Sequence, residues 1–403
     1  MSLEIRPITA GEVEQAELIV AQAFNDRRPL SELVERANRL FLPDWTLAAF
    51  DDGVMTSMTR IIPAQMRING GALSFGAVSP VANSPFQRRK GHTGVLLRQS
   101  LAHMRQQGQV LSGLYTPHPA FYRRYGWEVA GDGRRYEFKP KDLKLTVRPQ
   151  QRGSLRPVKP DAWLELDAVF QQATRLSTGP FVRDEFWWSK WIFGSSPSQR
   201  LEAVLWQDDT GTPQGYLLAV PGNTPDGWAG RVSVLELIAL TGDAHLNLLQ
   251  YLASLDIFRD ITLRAPSNDP LPLLFADGER LEISQRLTVM LRVIDLKAAL
   301  EARPTANPGL NTSFTLQVAD DTAAWNQGSW SVAVKAGATS LDKIEGSGEI
   351  SVHARLLGPL LTGYISPRSA ALAGLLQASS DDALSRADEF FRTLARPHFP
   401  DSY

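Results

Sequence analysis

A basic, glycine-containing turn between a predicted strand and a predicted helix constrains the fold of this chain more than any other feature. The strand ends at Val81-Ala82-Asn83, the turn contains Arg88-Arg89-Lys90-Gly91, and a helical pattern begins at Thr93. A helix that starts there directs backbone N–H groups and the positive end of its dipole at one point. Gly91 lets the backbone approach a ligand closely, and the cations complement phosphate charge. The segment predicts a diphosphate site, with a solvated basic turn as the alternative.

The composition limits which ligands and partners are expected. The 403 residues carry a formal net charge of −1 and no cysteine. A charge so close to zero argues against a nucleic-acid or membrane partner. The basic residues instead form local clusters, which indicate a small anionic ligand; these clusters are Arg88–Lys90, Arg123-Arg124 and Arg134-Arg135. Without cysteine there is no disulfide or thiolate nucleophile, and no histidine pair has metal-ligand spacing, so we expect no metal. The N-terminus carries early charges and lacks the apolar core of a signal peptide, which predicts a cytoplasmic protein.

One order of elements occurs twice along the chain. Its first occurrence is a helix, strands separated by the tight turns Asp51-Asp52-Gly53 and Asn69-Gly70-Gly71, a second helix and a further strand, predicted at 10–24, 47–50, 55–63, 65–68, 73–82, 93–105 and 109–115. A similar order is predicted again at 161–173, 201–206, 215–220, 232–240, 244–255 and 261–264. The second copy has Thr241-Gly242-Asp243 where the first has its basic turn. We therefore predict a degenerate repeat that has lost the ligand turn, with an unrelated α/β domain as the alternative.

A third segment follows the repeat. Strands are predicted at 313–319, 330–335 and 349–352, and helices at 354–364, 369–377 and 381–394. Ser379 and Ser380 provide an N-cap for the last helix. Its predicted buried stripe consists of Leu384, Ala387, Phe391 and Leu394. Breaks near residue 148 and residue 286 divide the chain into predicted domains 1–147, 148–285 and 286–403.

Two motifs resemble signatures of the GNAT N-acetyltransferase superfamily. Arg88-x-x-Gly91-x-Thr93 is similar to Q/R-x-x-G-x-G/A, although Thr93 replaces the usual small residue and Gly94 follows it. Ala120–Trp127 contains a sequence similar to F-Y-x-x-x-G-F/Y. The three-part layout, in which 314–330 resembles a sterol-carrier domain, is similar to the Eis (enhanced intracellular survival) family. The implied fold is α+β: tandem GNAT folds, each a mixed sheet with flanking helices, plus a sterol-carrier-protein-like α/β domain at the C-terminus.

The resemblance also implies acetyl-CoA as co-substrate and assigns roles to individual residues. Cofactor binding is implied for Val81, Ala82 and Asn83 along the pantetheine arm, for Arg89, Lys90, Gly91, His92, Thr93 and Gly94 around the pyrophosphate, and for Pro117 and His118 beside the cofactor. Phe24 and Asp26 are implied in the acceptor pocket, where the carboxylate attracts a cationic amine. Tyr122 is implied as general acid. The carboxylate of Tyr403, threaded back into the first domain, is implied as general base.

Elementary acid–base chemistry is compatible with the two catalytic roles. A phenol with a pKa near 10 is protonated at pH 7 and can donate, whereas a terminal carboxylate with a pKa of about 3.3–3.7 is ionised and can accept. Each assignment has a structural alternative. Tyr122 alone reads as a core aromatic, Tyr403 as a frayed terminus, and Phe24–Asp26 as a solvated helix end.

These features together predict an acetyl-CoA-dependent N-acetyltransferase. Direct transfer to a primary amine is expected, and the absence of a cysteine that could carry the acetyl group is consistent with it. The family likeness implies polyamine, aminoglycoside-like or lysine acceptors and a homohexamer, with the sterol-carrier-like domain as a scaffold. The alternative is a non-catalytic acyl-CoA-binding or lipid-binding protein that keeps the same folds.

Overall fold

The computed structural model of the protein describes residues 3–150, 152–194, 200–224 and 228–403. Short 3₁₀ turns connect several of its elements. The N-terminal part contains β1 (Leu3–Pro7), α1 (Val13–Phe24), α2 (Leu30–Leu40), β2 (Thr46–Asp51), β3 (Val54–Ile68), β4 (Gly71–Asn83), α3 (His92–Gln106), β5 (Leu111–Leu114), α4 (Pro119–Arg123) and β6 (Glu128–Phe138).

The middle and C-terminal parts continue this numbering. The middle part contains β7 (Ser154–Val158), α5 (Trp163–Thr174), a π-helical segment (Phe186–Ile192), β8 (Glu202–Gln207), β9 (Pro213–Asn223), β10 (Ala229–Ala239), α6 (Gly242–Ala253), β11 (Asp260–Pro266), α7 (Leu271–Leu274) and β12 (Glu282–Val293). The C-terminal part contains α8 (Leu296–Ala302), β13 (Thr312–Ala319), β14 (Gly328–Lys335), β15 (Ala338–Ile344), β16 (Ile350–His353), α9 (Leu357–Leu361), α10 (Pro367–Leu372), β17 (Leu376–Ala378) and α11 (Asp381–Phe391). No helix in the described ranges has both the length and the apolar character needed to cross a bilayer.

The chain forms two compact units. The first unit consists of Met1–Gly131, Val289–Pro397 and Asp401–Tyr403, and the second of Asp132–Thr288 and His398–Pro400. In the first unit the strand order is β1-β2-β3-β4-β5 followed by the end of β12, and a separate sheet has the order β15-β14-β13-β16-β17. In the second unit the order is β6-β11-β10-β9-β8-β7. The first unit therefore joins both ends of the chain.

A long hairpin organises the first unit. Its strands β3 and β4 pair from Ile68↔Gly71 to Ser57↔Asn83. The predicted turn at Asn69-Gly70 is confirmed, because φ is 49° and 87° at these two residues, as a type I′ hairpin turn requires. Apolar residues of α1 and α2 pack with Met58 and Ala82, whereas α3 packs with Ile61 and Val78. The two helical layers thus cover opposite faces of the hairpin.

The C-terminal sheet is covered by α11, which begins as predicted. The Ser380 side chain accepts a hydrogen bond from the Ala383 N–H at 3.1 Å. Phe314 of β13 packs edge-to-face on Phe390 with ring centroids 5.5 Å apart. The buried Arg303 guanidinium donates to main-chain carbonyls, which include those of the last residues of α11; the acceptors are Leu361, Phe390, Phe391 and Arg392. These bonds satisfy helix-end carbonyls that have no intrahelical partner.

Some predicted boundaries are wrong. The predicted helix at 369–377 ends at Leu372, because Gly374 turns the chain at φ 72° into strand β17. The last helix ends at Phe391, so Leu394 lies beyond it and is exposed. The apolar spacing of 93–105 places Val95 with Leu97, Leu101 and Met104 on the buried face of α3, but Val95 is exposed and Leu96 is buried. The amphipathic α2 was not predicted at all.

Candidate active site

The candidate site begins where two parallel strands of the first unit stop pairing. The register of β4 with β5 runs from Phe75↔Leu111 to Ala77↔Gly113. Strand β5 ends at Leu114, but β4 continues along β3 to Asn83. The edge of β4 beyond Ala77 therefore offers main-chain groups to an extended, amide-containing ligand, in the way that a peptide adds to a sheet edge. Val81, Ala82 and Asn83 lie on this segment.

Glycines at the start of α3 have two different functions. Gly91 is the N-cap with φ 86°, and a Cβ there would have no atom within 4 Å, so the approach to the helix N-terminus is open. Gly94 is packed instead, because a Cβ there would lie 2.6 Å from the Tyr125 hydroxyl oxygen. The residue that must be small, because Tyr125 packs against it, is therefore Gly94. It lies one residue after Thr93, which occupies the small-residue position of the motif.

Buried polar atoms without partners surround this turn. Among the described residues, Asn83 Oδ1, Gln87 Oε1 and His92 Nδ1 are buried and have no hydrogen-bond partner. The Nε2 atom of His92 lies 3.8 Å from Asp51 Oδ2, and Lys90 Nζ lies 4.0 Å from the same oxygen. Since buried polar groups are normally hydrogen-bonded, the three orphan atoms fit a site completed by a polar ligand such as coenzyme A.

The corresponding helix start in the second unit has the opposite character. Helix α6 is capped by the Thr241 hydroxyl, which accepts from the Ala244 N–H at 3.1 Å. Asp243 brings a carboxylate to the first turn, where it accepts from the Gln150 N–H at 2.7 Å. A helix end that is already capped and carries a negative charge is unsuited to a diphosphate. The predicted loss of the ligand turn is consistent with this geometry.

Tyr122 lies in an aromatic cluster next to this region. Its ring packs edge-to-face on Phe121, at 5.0 Å between centroids, and on Trp127, at 6.3 Å. Burial raises the pKa of the Tyr122 phenol to about 12. The short helix α4 carries this residue and ends at Arg123, and the turn that follows it contains Gly126, where φ is 86°. Pro117 and His118 are exposed in the segment between β5 and α4.

The C-terminal residues lie in the first unit beside the end of the β4–β5 pairing. The Ser79 hydroxyl donates to the main-chain oxygen of Tyr403 at 3.0 Å. Tyr115, just after β5, donates to the Asp401 carbonyl, and its ring lies 5.0 Å from that of Tyr403. Gly113 leaves room for the Tyr403 ring, since a Cβ there would lie 3.0 Å from the phenol oxygen. The frayed-terminus alternative is therefore not what the structure shows.

The predicted acceptor residues lie at the end of α1. Phe24 is 60% exposed, and the chain turns at Asn25 with φ 52°. The Asp26 carboxylate accepts from Arg28 Nε at 3.1 Å and Nη2 at 2.6 Å. Hydrogen bonding by Arg28 lowers the pKa of Asp26 to about 2. Asp26 is thus an ionised group whose charge is already paired.

Several residues of this region were missed from the sequence. Ser79, Tyr115 and Asp51 carry no local motif, and they are recognised only because the fold places them against Tyr403 or His92. Tyr125 does lie inside the aromatic motif, and its contact with Gly94 explains why a small residue is needed there. The described residues contain no group of three metal-ligating side chains.

Comparisons with known proteins match three parts of the chain. Residues 4–130 match an Acetyltransferase (GNAT) domain family, residues 179–293 match a second family of the same description, and residues 296–400 match a Sterol carrier protein domain. An uncharacterized N-acetyltransferase of Streptomyces griseus is 29% identical over 100% of both chains. N-acetyltransferase Eis of Mycobacterium tuberculosis is 25% identical over 82% of this chain and 80% of its own.

Solved structures show the same architecture. A GCN5-related N-acetyltransferase from Anabaena variabilis has a TM-score of 0.89 at 23% identity, with 100% of both chains covered. Two GNAT domains followed by a sterol carrier domain define a tandem GNAT acetyltransferase enzyme, so the second domain is not an unrelated α/β fold. Within that class, the chain is similar to the Eis proteins, N-acetyltransferase Eis of Mycobacterium tuberculosis and Eis1 of Mycobacterium abscessus. The domain boundaries at residues 148 and 286 stay predictions.

Proposed function

We propose that the enzyme transfers acetyl from acetyl-CoA directly to a primary amine, with Tyr122 as general acid and the Tyr403 carboxylate as general base. Acetyl-CoA supplies an activated thioester when it is bound. The free edge of β4 accommodates the pantetheine amides, and the N-terminus of α3 with Arg89 and Lys90 receives the pyrophosphate. The buried orphan atoms Asn83 Oδ1 and His92 Nδ1 support this assignment.

Tyr122 delivers a proton to the leaving sulfur in this proposal. Its pKa of about 12 keeps the phenol protonated at neutral pH. In water, the thiolate of a thiol with a pKa of about 8.5 is too weak a base to take a proton from so weak an acid. Burial disfavours a thiolate as much as a phenolate, however, so the same environment raises both pKa values together.

The Tyr403 carboxylate accepts the proton that the attacking nitrogen loses. A carboxylate is a weak base in water, but the nitrogen becomes strongly acidic as the new C–N bond forms, so a weak base suffices. The single observation that carries the proposal is the hydrogen bond from Ser79 to the Tyr403 oxygen, because it holds this group beside the β4 edge. Phe24, at the end of α1, is the proposed acceptor contact, and its exposed ring can cover an apolar part of the amine.

Thiol release from acetyl-CoA tests the proposal. A panel of a linear polyamine, an aminoglycoside and a lysine peptide should include at least one acceptor that releases coenzyme A and gains one acetyl group by mass. Tyr122→Phe should lower kcat by about 10²–10⁴-fold and leave the affinity for acetyl-CoA unchanged. An unaltered kcat in this variant would remove Tyr122 from the chemistry.

Two further properties belong to the same proposal: a homohexamer, implied by family likeness, and the cytoplasmic location predicted from the sequence. A homohexamer predicts a sedimentation mass about six times the 44.5 kDa of the chain. A monomeric mass would contradict it. A cytoplasmic location predicts that the protein stays with the soluble cytoplasmic fraction of its host, and recovery in a secreted fraction would contradict that.

A further inference from the structure

A buried ion pair lies directly behind the turn that follows Tyr122. Arg292 Nη2, from the end of β12, donates to Asp320 Oδ1 at 2.7 Å and Oδ2 at 2.6 Å. The side chains are 0% and 1% exposed. Arg292 lies at the end of the second matched GNAT region, whereas Asp320 belongs to the sterol-carrier region. The pair therefore brings an acidic residue of the C-terminal part against the first GNAT domain, within the first unit.

The guanidinium group lies flat against Gly126. A Cβ on Gly126 would lie 2.7 Å from Arg292 Nε and 2.8 Å from its Cζ, and the φ of 86° also favours glycine. Nε and Nη1 of Arg292 have no hydrogen-bond partner among the described residues. This side of the guanidinium thus acts as a flat surface for the glycine turn rather than as a donor.

A short network extends from the pair to the same turn. Asp320 Oδ1 accepts from the main-chain N–H groups of Thr322 and Ala323 at 3.2 and 3.0 Å. The Thr322 hydroxyl lies 3.4 Å from the Tyr125 carbonyl oxygen, to which it donates. The Tyr125 N–H in turn donates to the Tyr122 carbonyl at 2.9 Å. The backbone that carries Tyr122 is thereby contacted on two sides, at Gly126 and at Tyr125.

Stability alone does not account for this arrangement. A buried ion pair usually contributes no more than apolar residues of the same volume would. The contact does, however, define the position of the turn after Tyr122, because the Arg292 guanidinium leaves no room for a side chain at Gly126. Displacement of a reacting group by about 1 Å can lower a rate by about 10²-fold.

We propose that Arg292, held by Asp320, is a positioning residue for Tyr122 and sets where the phenol meets the leaving sulfur. The proposal rests on the acid role of Tyr122. Its test replaces both charges, Arg292→Met with Asp320→Asn, so that no unpaired charge is buried. We expect kcat to fall by about 10–100-fold, while the KM for acetyl-CoA and the unfolding midpoint change little.

A second ion pair provides the matched control. Arg183 and Glu236 in the second unit are joined at 2.6 and 3.0 Å and are 3% and 6% exposed. Arg183→Met with Glu236→Gln should leave kcat within about twofold of the parent. An equal loss of kcat in both double variants would overturn the proposal, because it would reflect general disruption.

Combination with Tyr122→Phe separates the two hypotheses. If Arg292 acts through Tyr122, the double replacement should have almost no further effect on kcat once the phenol is gone. If the two losses of kcat multiply, Arg292 does not act through Tyr122 and the proposal is overturned. If Tyr122→Phe alone leaves kcat unchanged, the proposed general acid fails instead, and the positioning role fails with it.

Discussion

The burial of Tyr122 makes a quantitative prediction about alkaline pH. An ordinary phenol with a pKa near 10 is half ionised at pH 10, whereas a phenol with a pKa of about 12 is about 1% ionised. The enzyme should therefore keep its kcat up to at least pH 10.5. Phe121 packs 5.0 Å from Tyr122, and Phe121→Ala should admit water to the phenol and lower its pKa towards 10. In that variant we expect kcat to decline by half near pH 10.

Thiol release at saturating acetyl-CoA and amine, measured between pH 7 and 10.5, distinguishes the two profiles. Non-enzymatic hydrolysis of the thioester is subtracted at each pH. Phe138→Ala is the matched control, because this ring packs on Phe275 in the second unit and does not contact Tyr122. Its profile should follow that of the parent.

A decline of the parent kcat with an apparent pKa of 9–10 that is absent in Tyr122→Phe would refute the reasoning, since it would show a well-hydrated phenol. A flat profile in Phe121→Ala would also contradict it if the variant remains folded. In that case burial by the aromatic cluster would not be the cause of the high pKa.

Two other substitutions test the packing around the site. Gly94→Ala should lower the free energy of unfolding, measured in urea, by about 1–3 kcal/mol. Tyr125→Phe in the same chain should restore most of this loss, because the substitution removes the oxygen that lies 2.6 Å from the new Cβ. Failure of the rescue would rule out this contact as the cause. Glu17→Gln should lower the free energy of unfolding by about 3–5 kcal/mol, because the buried Arg60, whose Nη2 lies 2.6 Å from Glu17 Oε1, loses its carboxylate partner. A loss below about 1 kcal/mol for Glu17→Gln would mean that water reaches this pair.

The local part of the site could be predicted from the sequence, and the distant part could not. The turn before α3 and the aromatic motif around Tyr122 are short segments whose residue types reflect a local backbone requirement, such as the positive φ of Gly91 and Gly126. The Ser79–Tyr403 hydrogen bond joins residues 324 positions apart. No pattern in either segment indicates the other, and only the family likeness suggested that the chain end returns to the first domain.

The missed elements have two different explanations. Helix α2 could have been predicted from the sequence, because its buried residues Leu33, Ala37 and Leu40 recur at helical spacing. Strand β17 has three residues and is formed because β16 offers a partner, with Val352 paired to Leu376. The formation of this strand depends on tertiary pairing rather than on the β-propensity of its residues. The role of Arg292 is invisible for the same reason, because Asp320 and Gly126 meet it only in the folded chain.

The claim that both ends of the chain form one active site is tested most directly by moving the C-terminal carboxylate. One glycine added after Tyr403 keeps the ring but displaces the carboxylate by about 3.5 Å. We predict that kcat falls by about 10²-fold or more while acetyl-CoA binds with unchanged affinity by calorimetry, and that Tyr403→Phe, which retains the carboxylate, keeps its kcat. An extended protein with the kcat of the parent would contradict the account.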